Sequence, residues 1–276
     1  MDLVYRRSYR GPLKAVILDW AGTTVDFGCV APAAVFVEVF RRAGVELSLE
    51  QARGPMGMHK RAHIQTVLAL PEIRERWQRV HGQPPDEVAV QGLYDAFLPL
   101  QQEVIAQHAT LIPGTLEAIE EFRRRGLLIG SCTGYTEALM EALLPVAAAQ
   151  GYAPDCLVCG AAVPAGRPAP WMALMNAMKL GVYPLEACVK VGDTPVDVEE
   201  GLNAGMWTVA LAVTGNEVGL SQAELEALAP EVRAARMTRA RTRLAQAGAH
   251  YVVDGLAEVP AVLDVIEARL RQGEKP

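Results

Sequence analysis

Short apolar runs recur along the chain at Leu13–Leu18, Leu127–Cys132, Asp155–Cys159, Cys188–Gly192, Trp207–Val213 and His250–Val253. Apolarity without alternation over so short a span predicts strands buried on both faces, as in a parallel sheet. Between the runs, apolar positions recur at helical spacing: Thr115–Arg125 closed by Gly126, Thr136–Ala149, Pro170–Leu180 closed by Gly181, and Val196–Ala204 closed by Gly205. Glycine stops a helix there because it adopts the left-handed conformation of the position after the last turn. Strand and helix in alternation predict an α/β fold, a doubly wound (Rossmann-like) parallel sheet.

The alternation breaks once, between Asp26 and Ala109, where helical signals appear and no strand does. Pro32–Ala43 ends at Gly44, Ser48 starts a helix with Gln51 completing a capping box, and His59–Ala69 and Pro71–His81 follow. A longer helix runs from Asp86 and bends near Pro99. The expected organisation is a core of residues 1–26 and 110–276 with an inserted all-helical cap of residues 27–109.

With 276 residues, 51% hydrophobic and 21% charged, the chain has the balance of a globular protein with a substantial core. Its net charge of -6 offers no footprint for nucleic acid or an anionic membrane, so any anion must be held locally. The arginines at 123–125 and from Arg233 to Arg243 lie at helical spacing and read as solvated faces. Five cysteines, four of them in strand-like runs, do not make a disulfide framework, and a reducing cytoplasm is the expected compartment. Cys156 and Cys159 have zinc-knuckle spacing without a second pair of ligands, so they read as buried thiols. No apolar stretch of signal-peptide or membrane-spanning length follows Met1–Arg10, and no export route is expected.

In a doubly wound sheet, ligands bind beyond the carboxyl ends of the strands. Three of those ends are chemically loaded: Asp19-Trp-Ala-Gly-Thr-Thr24, Ser131-Cys-Thr-Gly-Tyr135 and Gly192-Asp-Thr-Pro-Val-Asp197. Asp19 and Asp193, on strands expected to be neighbours, bring two carboxylates within reach of one hard cation such as Mg²⁺. Thr133, read as the start of a helix, offers a hydroxyl and main-chain N–H groups to an anion.

The set resembles the haloacid dehalogenase superfamily, whose ordered motifs are matched by Asp19, Thr133, Arg167, Asp193 and Asp197. The resemblance implies an aspartyl phosphate on Asp19, one Mg²⁺ per subunit, and Thr133, Gly134 and Arg167 holding the phosphoryl oxygens. Arg167, in Pro164-Ala-Gly-Arg-Pro168, is expected to present its fork from a loop.

Phosphatases of that superfamily resemble one another in a second aspartate two residues after the nucleophile, which protonates the leaving alcohol. Here that position is Ala21, and a methyl group transfers no proton. A carbon leaving group needs different help, an electron sink such as an iminium formed between a lysine and an aldehyde β to phosphorus. Lys14 precedes a strand, Lys179 ends a helix, Lys190 lies within a strand and Lys275 is in the tail, which leaves Lys60, after Gly54-Pro-Met-Gly57-Met-His59, with His63 one turn on.

The Asp-Trp-Ala-Gly-Thr-Thr-Val-Asp opening and the cap lysine resemble the phosphonoacetaldehyde hydrolase family, and the likeness covers nearly the whole chain. It implies Asp19 as nucleophile, Lys60 as imine former, and Asp19, the Ala21 carbonyl and Asp193 as magnesium ligands. His63 is a candidate proton carrier, and Cys29, Met56, Gly57 and Tyr135 are candidates to line the closed site. Asp197 is placed behind the metal, positioning Lys190 or metal-bound water. The partner is a small phosphonate, without nucleic acid or membrane, and the likeness implies a homodimer joined through the caps, with Ala31–Ala43 as a candidate contact. A phosphomonoesterase or phosphomutase of the same superfamily and a catalytically silent phosphate-binding protein remain as alternatives.

Overall fold

The computed structural model describes residues 8–105 and 108–276; the beginning of the Arg-bearing Met1–Arg10 stretch, residues 1–7, lies outside the described residues. Six strands, β1 (Ala15–Leu18), β2 (Leu128–Thr133), β3 (Cys156–Cys159), β4 (Cys188–Gly192), β5 (Trp207–Leu211) and β6 (Tyr251–Val253), form one sheet in the order β3-β2-β1-β4-β5-β6. Every pairing is parallel, so the doubly wound arrangement expected from the apolar runs is borne out.

β1 shows why those runs do not alternate with polar residues. Ala15, Val16, Ile17 and Leu18 are all fully buried. Successive side chains point to opposite faces of the sheet, so both faces must be covered. Ala15 and Ile17 join a cluster with Met172, Ala173 and Ala177 of α8 (Trp171–Lys179). Val16 and Leu18 join the larger cluster, with Phe122 of α6 (Thr115–Arg124), Leu143 of α7 (Glu137–Ala149) and Leu263 of α12 (Val259–Arg271). Further along the sheet, Ala210 packs with Val198 of α9 (Pro195–Asn203), Leu225 of α10 (Gln222–Ala227) and Leu244 of α11 (Pro230–Gln246).

Between β1 and β2 lie α1 (Val30–Arg42), α2 (Leu49–Arg53), α3 (Lys60–Ala69), α4 (Pro71–His81) and α5 (Glu87–Ile105). The Ser48–Gln51 capping box that starts α2 forms in both directions, at 3.1 and 3.0 Å. Pro99 sits inside α5. The apolar positions of α1 are spent inward: Phe36 stacks on His63 of α3 at 3.7 Å and lies 4.4 Å from Phe97 of α5. Ala31–Ala43 is thus packing within this group of helices, and its exposed positions are Ala34, Arg41 and Arg42.

One local expectation is corrected. Thr133 does not begin a helix: it is the last residue of β2, and α7 is capped three residues later by Thr136, whose hydroxyl accepts the Leu139 amide. Gly134 and Tyr135 form a short loop between them, which brings main chain rather than a helix end to the strand tip.

β2 is also held from outside the sheet. The buried Asn176 of α8 donates to the Ser131 carbonyl at 2.9 Å and accepts from the Ser131 amide at 3.1 Å. Asn176→Ala leaves both groups without these partners, and such losses cost about 1–3 kcal/mol each. A fall of about 2–4 kcal/mol in unfolding free energy by urea titration is expected, with an unchanged denaturant slope.

Candidate active site

Asp19 continues the ladder of β1, its amide donating to the Val191 carbonyl at 3.0 Å. The chain then folds tightly, with the Trp20 carbonyl accepting from the amides of Thr23, Thr24 and Val25 at 3.1, 2.8 and 3.1 Å. Gly22 takes a φ of 83° inside this turn, and a Cβ there would lie 2.2 Å from Asp193 Oδ2. Asp193 follows β4, the neighbour of β1. The two carboxylates stand at the point where strand order reverses, where open α/β sheets form their ligand crevice.

Behind them is a buried set of charges. Asp19, Asp193, Asp197 and Glu200 carry four negative charges against two positive ones on Arg167 and Lys190, and no member is more than 6% exposed. Arg167 donates from Nη2 to Asp19 Oδ1 at 2.7 Å and from Nε to Glu200 Oε2 at 2.8 Å, and also meets Asp197 Oδ1 at 3.1 Å. Lys190 Nζ donates to Asp197 Oδ1 at 2.7 Å. Asp197 Oδ2 accepts from the Thr194 hydroxyl at 2.5 Å, so both of its oxygens are engaged within the protein. Arg167 is correspondingly no surface fork: it is 3% exposed and most of its donors point inward.

Uncompensated buried negative charge must be neutralised by protons or by a cation. Burial pushes the Asp19 carboxyl up against the pull of Arg167. Asp193 is driven well up by burial and then by the charges of Asp19 and Asp197. Burial would raise Asp197 too, but Arg167 and Lys190 hold it below the ordinary carboxylate range. Asp19, Asp193 and Asp197 each place a carboxylate oxygen within 4.8 Å of the others. The donor set is all oxygen and the charge deficit is two, which fits a hard divalent cation. Asp19 Oδ2 receives no hydrogen bond among the described residues, and Asp193 keeps one protein donor on each oxygen, from Thr23 Oγ1 at 3.2 Å and the Asn216 amide at 2.8 Å.

The pocket in front of this set is lined by Asp19, Ala21, Cys29, Pro32, Met56, Gly57, Lys60, Thr133, Gly134, Tyr135, Arg167, Asp193 and Thr194. Lys60 enters from the first turn of α3 and is 3% exposed. Its Nζ faces rings, 5.1 Å from the centroid of Tyr135, 5.6 Å from Phe36 and 6.0 Å from Phe97, and it forms no salt bridge among the described residues. Burial lowers this amine to about 8, with Cys29 and Asp19 resisting.

Two glycines allow the helical insertion to come this close. Gly57 has a φ of 89°, and a Cβ on it would stand 2.5 Å from Thr194 Oγ1. A Cβ on Gly134 would stand 2.9 Å from the Met58 carbonyl. Thr133 Oγ1 accepts the Tyr135 amide at 3.1 Å, leaving its own proton free to be donated elsewhere. Burial drives the Tyr135 hydroxyl well up, so it stays protonated.

His63 and Asp197 lie outside the lining. His63 Nε2 donates to the Ala52 carbonyl at 2.8 Å, which leaves Nδ1 as the unprotonated nitrogen, buried and without a partner. Burial, then the charge on Lys60, holds its pKa well below the usual value, so the ring is neutral. Sequence reasoning passed over Glu200, Thr23, Thr194, Pro32 and Asn216. Of these Thr23 lay within the singled-out Asp19–Thr24 strand end, and Thr194 carried a signal as a threonine at the N-cap of α9, three residues before Asp197.

A family model described as haloacid dehalogenase-like hydrolase matches residues 13–205. A phosphonoacetaldehyde hydrolase of Nitratidesulfovibrio vulgaris is 52% identical over 270 residues, covering 98% of this chain and 96% of the relative. One of Vibrio cholerae is 47% identical over 267 residues, covering 96% and 98%. The solved structure of a phosphonoacetaldehyde hydrolase-like protein from Oleispira antarctica superposes with a TM-score of 0.97 at 41% identity over 100% of both chains.

An amine lowered to about 8 is roughly one-tenth unprotonated at pH 7, where an ordinary lysine is unprotonated in roughly one part in three thousand. Reductive alkylation by a small aldehyde with cyanoborohydride, followed by peptide mass spectrometry, should therefore label Lys60 first. Its rate constant should rise with pH and level off above about 8, whereas an ordinary solvated lysine amine keeps rising to about 10.

Proposed function

The chain belongs to the phosphonoacetaldehyde hydrolase family of haloacid dehalogenase-like hydrolases, enzymes acting on C–P bonds, and we propose that it splits phosphonoacetaldehyde into acetaldehyde and phosphate. The observation that carries this reading is the buried Lys60 amine, lowered to about 8, in the same pocket as Asp19 and Ala21. A phosphate ester needs a proton donor for its leaving oxygen, and Ala21 supplies none. An aldehyde needs an uncharged amine, and Lys60 supplies one.

In the proposed sequence, Lys60 Nζ adds to the aldehyde carbon and loses water to form an iminium. Asp19 Oδ2, the free oxygen, attacks phosphorus. The P–C electrons pass into the iminium to give an enamine on Lys60 and an aspartyl phosphate on Asp19. Protonation of the enamine at carbon and hydrolysis return acetaldehyde and the free amine; a second water releases phosphate from Asp19. The water lost on imine formation balances the water used in its hydrolysis, so one water is consumed per turnover.

Arg167 fixes the rotamer of Asp19, while the Thr133 hydroxyl and the Gly134 amide face the phosphoryl oxygens. Tyr135, Phe36 and Phe97 exclude water around the amine. His63, one turn from Lys60 with a buried, unpartnered Nδ1, lies behind the lining and would exchange protons for imine formation with the Lys60 amine alone. Mg²⁺ held by Asp19, Asp193 and the Ala21 carbonyl would neutralise charge between carboxylate and phosphonate. Residues 27–109 act as a cap on a core of residues 1–26 and 110–276, and its closure brings Lys60 to Asp19.

Borohydride added during turnover should trap a two-carbon adduct on Lys60, read by mass spectrometry. Lys60→Arg, which keeps charge but forms no imine, should lower turnover by roughly 10⁴-fold, the scale of removing a covalent catalyst. Wild-type turnover in that variant overturns the imine. Chelation should stop acetaldehyde release and Mg²⁺ should restore it; phosphate release from simple esters at a comparable rate would instead favour a phosphomonoesterase.

A further inference from the structure

Arg53, the last residue of α2, lies outside the pocket, yet it joins three parts of the molecule. Its Nη1 donates to the Gly28 carbonyl at 2.8 Å, the Cys29 carbonyl at 3.2 Å and Asn216 Oδ1 at 3.1 Å. Asn216 answers by donating from Nδ2 to the Arg53 carbonyl at 3.3 Å, so the pairing is reciprocal. Gly28 and Cys29 are the residues through which the chain leaves the sheet for α1, and both have positive φ, 81° and 49°. Asn216, 4% exposed, stands in the loop after β5 and donates its amide to Asp193 Oδ2 at 2.8 Å.

We propose that Arg53 is a positioning residue that couples closure of the helical cap to the orientation of Asp193, through Asn216. The inference rests on the metal and cap reading above and deepens it. Any rotation of the cap about Gly28 and Cys29 moves α2 relative to the loop after β5, and the reciprocal pair at 3.1 and 3.3 Å cannot survive a displacement of more than a few tenths of an ångström. With the pair made, the side chain of Asn216 is fixed at both ends, and its amide is aimed at the carboxylate. With the pair broken, that loop loses its anchor on the cap side, and Asp193 depends on Thr23 alone for a defined plane. Outer partners of ligating carboxylates typically set metal affinity by 10- to 100-fold. Because coupling is reciprocal, metal at Asp193 must equally favour the closed cap.

The test uses Mn²⁺, whose paramagnetic signal reports binding without turnover. Arg53→Met and Asn216→Ala should each weaken Mn²⁺ binding about tenfold, and the double variant should be no weaker than the worse single one. In the wild-type protein, Mg²⁺ should slow hydrogen exchange across residues 49–58, and in Arg53→Met that protection should vanish. Arg53→Gln, which keeps a donor for the hinge carbonyls, serves if Arg53→Met does not fold. Wild-type Mn²⁺ affinity in the variants, or additive losses in the double variant, overturns the coupling. Failure of the wild-type protein to bind Mn²⁺ would instead overturn the metal reading itself, and the coupling with it.

Discussion

Four carboxylates and two cations buried at the ends of β1 and β4 constrain everything around them. Taking a charge out of water costs several kcal/mol even after relaxation, and partners repay this only in good geometry. The rigid parallel sheet supplies that geometry, because Asp19 and Asp193 extend neighbouring strands and cannot drift apart. α9 brings Asp197 and Glu200 in from one side, one turn apart, and Arg167 reaches between them. The tight turn after Asp19 then has to clear Asp193, which is why it passes through Gly22. The remaining negative charge has to be met by protons or by a cation, so the fit to a divalent ion comes from the charge balance of the whole buried set as much as from any one carboxylate.

Two buried lysines show how the surroundings assign a role. Lys190 and Lys60 are 1% and 3% exposed. Lys190 sits 2.7 Å from Asp197 Oδ1 and 3.5 Å from Glu200 Oε2, and despite burial its pKa is raised, so it is a fixed charge. Lys60 sits among three rings with no carboxylate in contact, and burial brings it to about 8. One pocket therefore spans two environments, a carboxylate floor that calls for positive charge and an apolar wall that suits an uncharged amine. Gly57 lets the wall rest on the floor.

The sheet was legible because both of its faces are covered, which removes alternation and leaves apolar runs with chemistry at their ends. The strand-end residues Asp19, Thr133 and Asp193 could be located for the same reason. Thr133 was misassigned to a helix because Thr133 and Thr136 are both plausible caps, and only the main chain decides between them. Glu200 and Asn216 were illegible for a different reason: a glutamate on a helix and an asparagine in a loop look solvated in sequence. Their burial is created by Arg167, Asp193 and Arg53 converging from distant segments. Arg167 is a further instance, an arginine between prolines that reads as exposed and is buried by the carboxylates it contacts.

Ala21 follows from the same electrostatics. It lines the pocket together with Lys60 and Asp193 and is 8% exposed. A carboxylate at that position would add a fifth negative charge to a cluster already short of positive charge. It would also add a negative charge to the pocket that holds Lys60, and a nearby opposite charge favours the protonated amine. An acid at position 21 and a buried amine of lowered pKa thus make opposing demands on this pocket. The methyl group at position 21 adds no such charge, and the buried Lys60 amine stays lowered, at about 8.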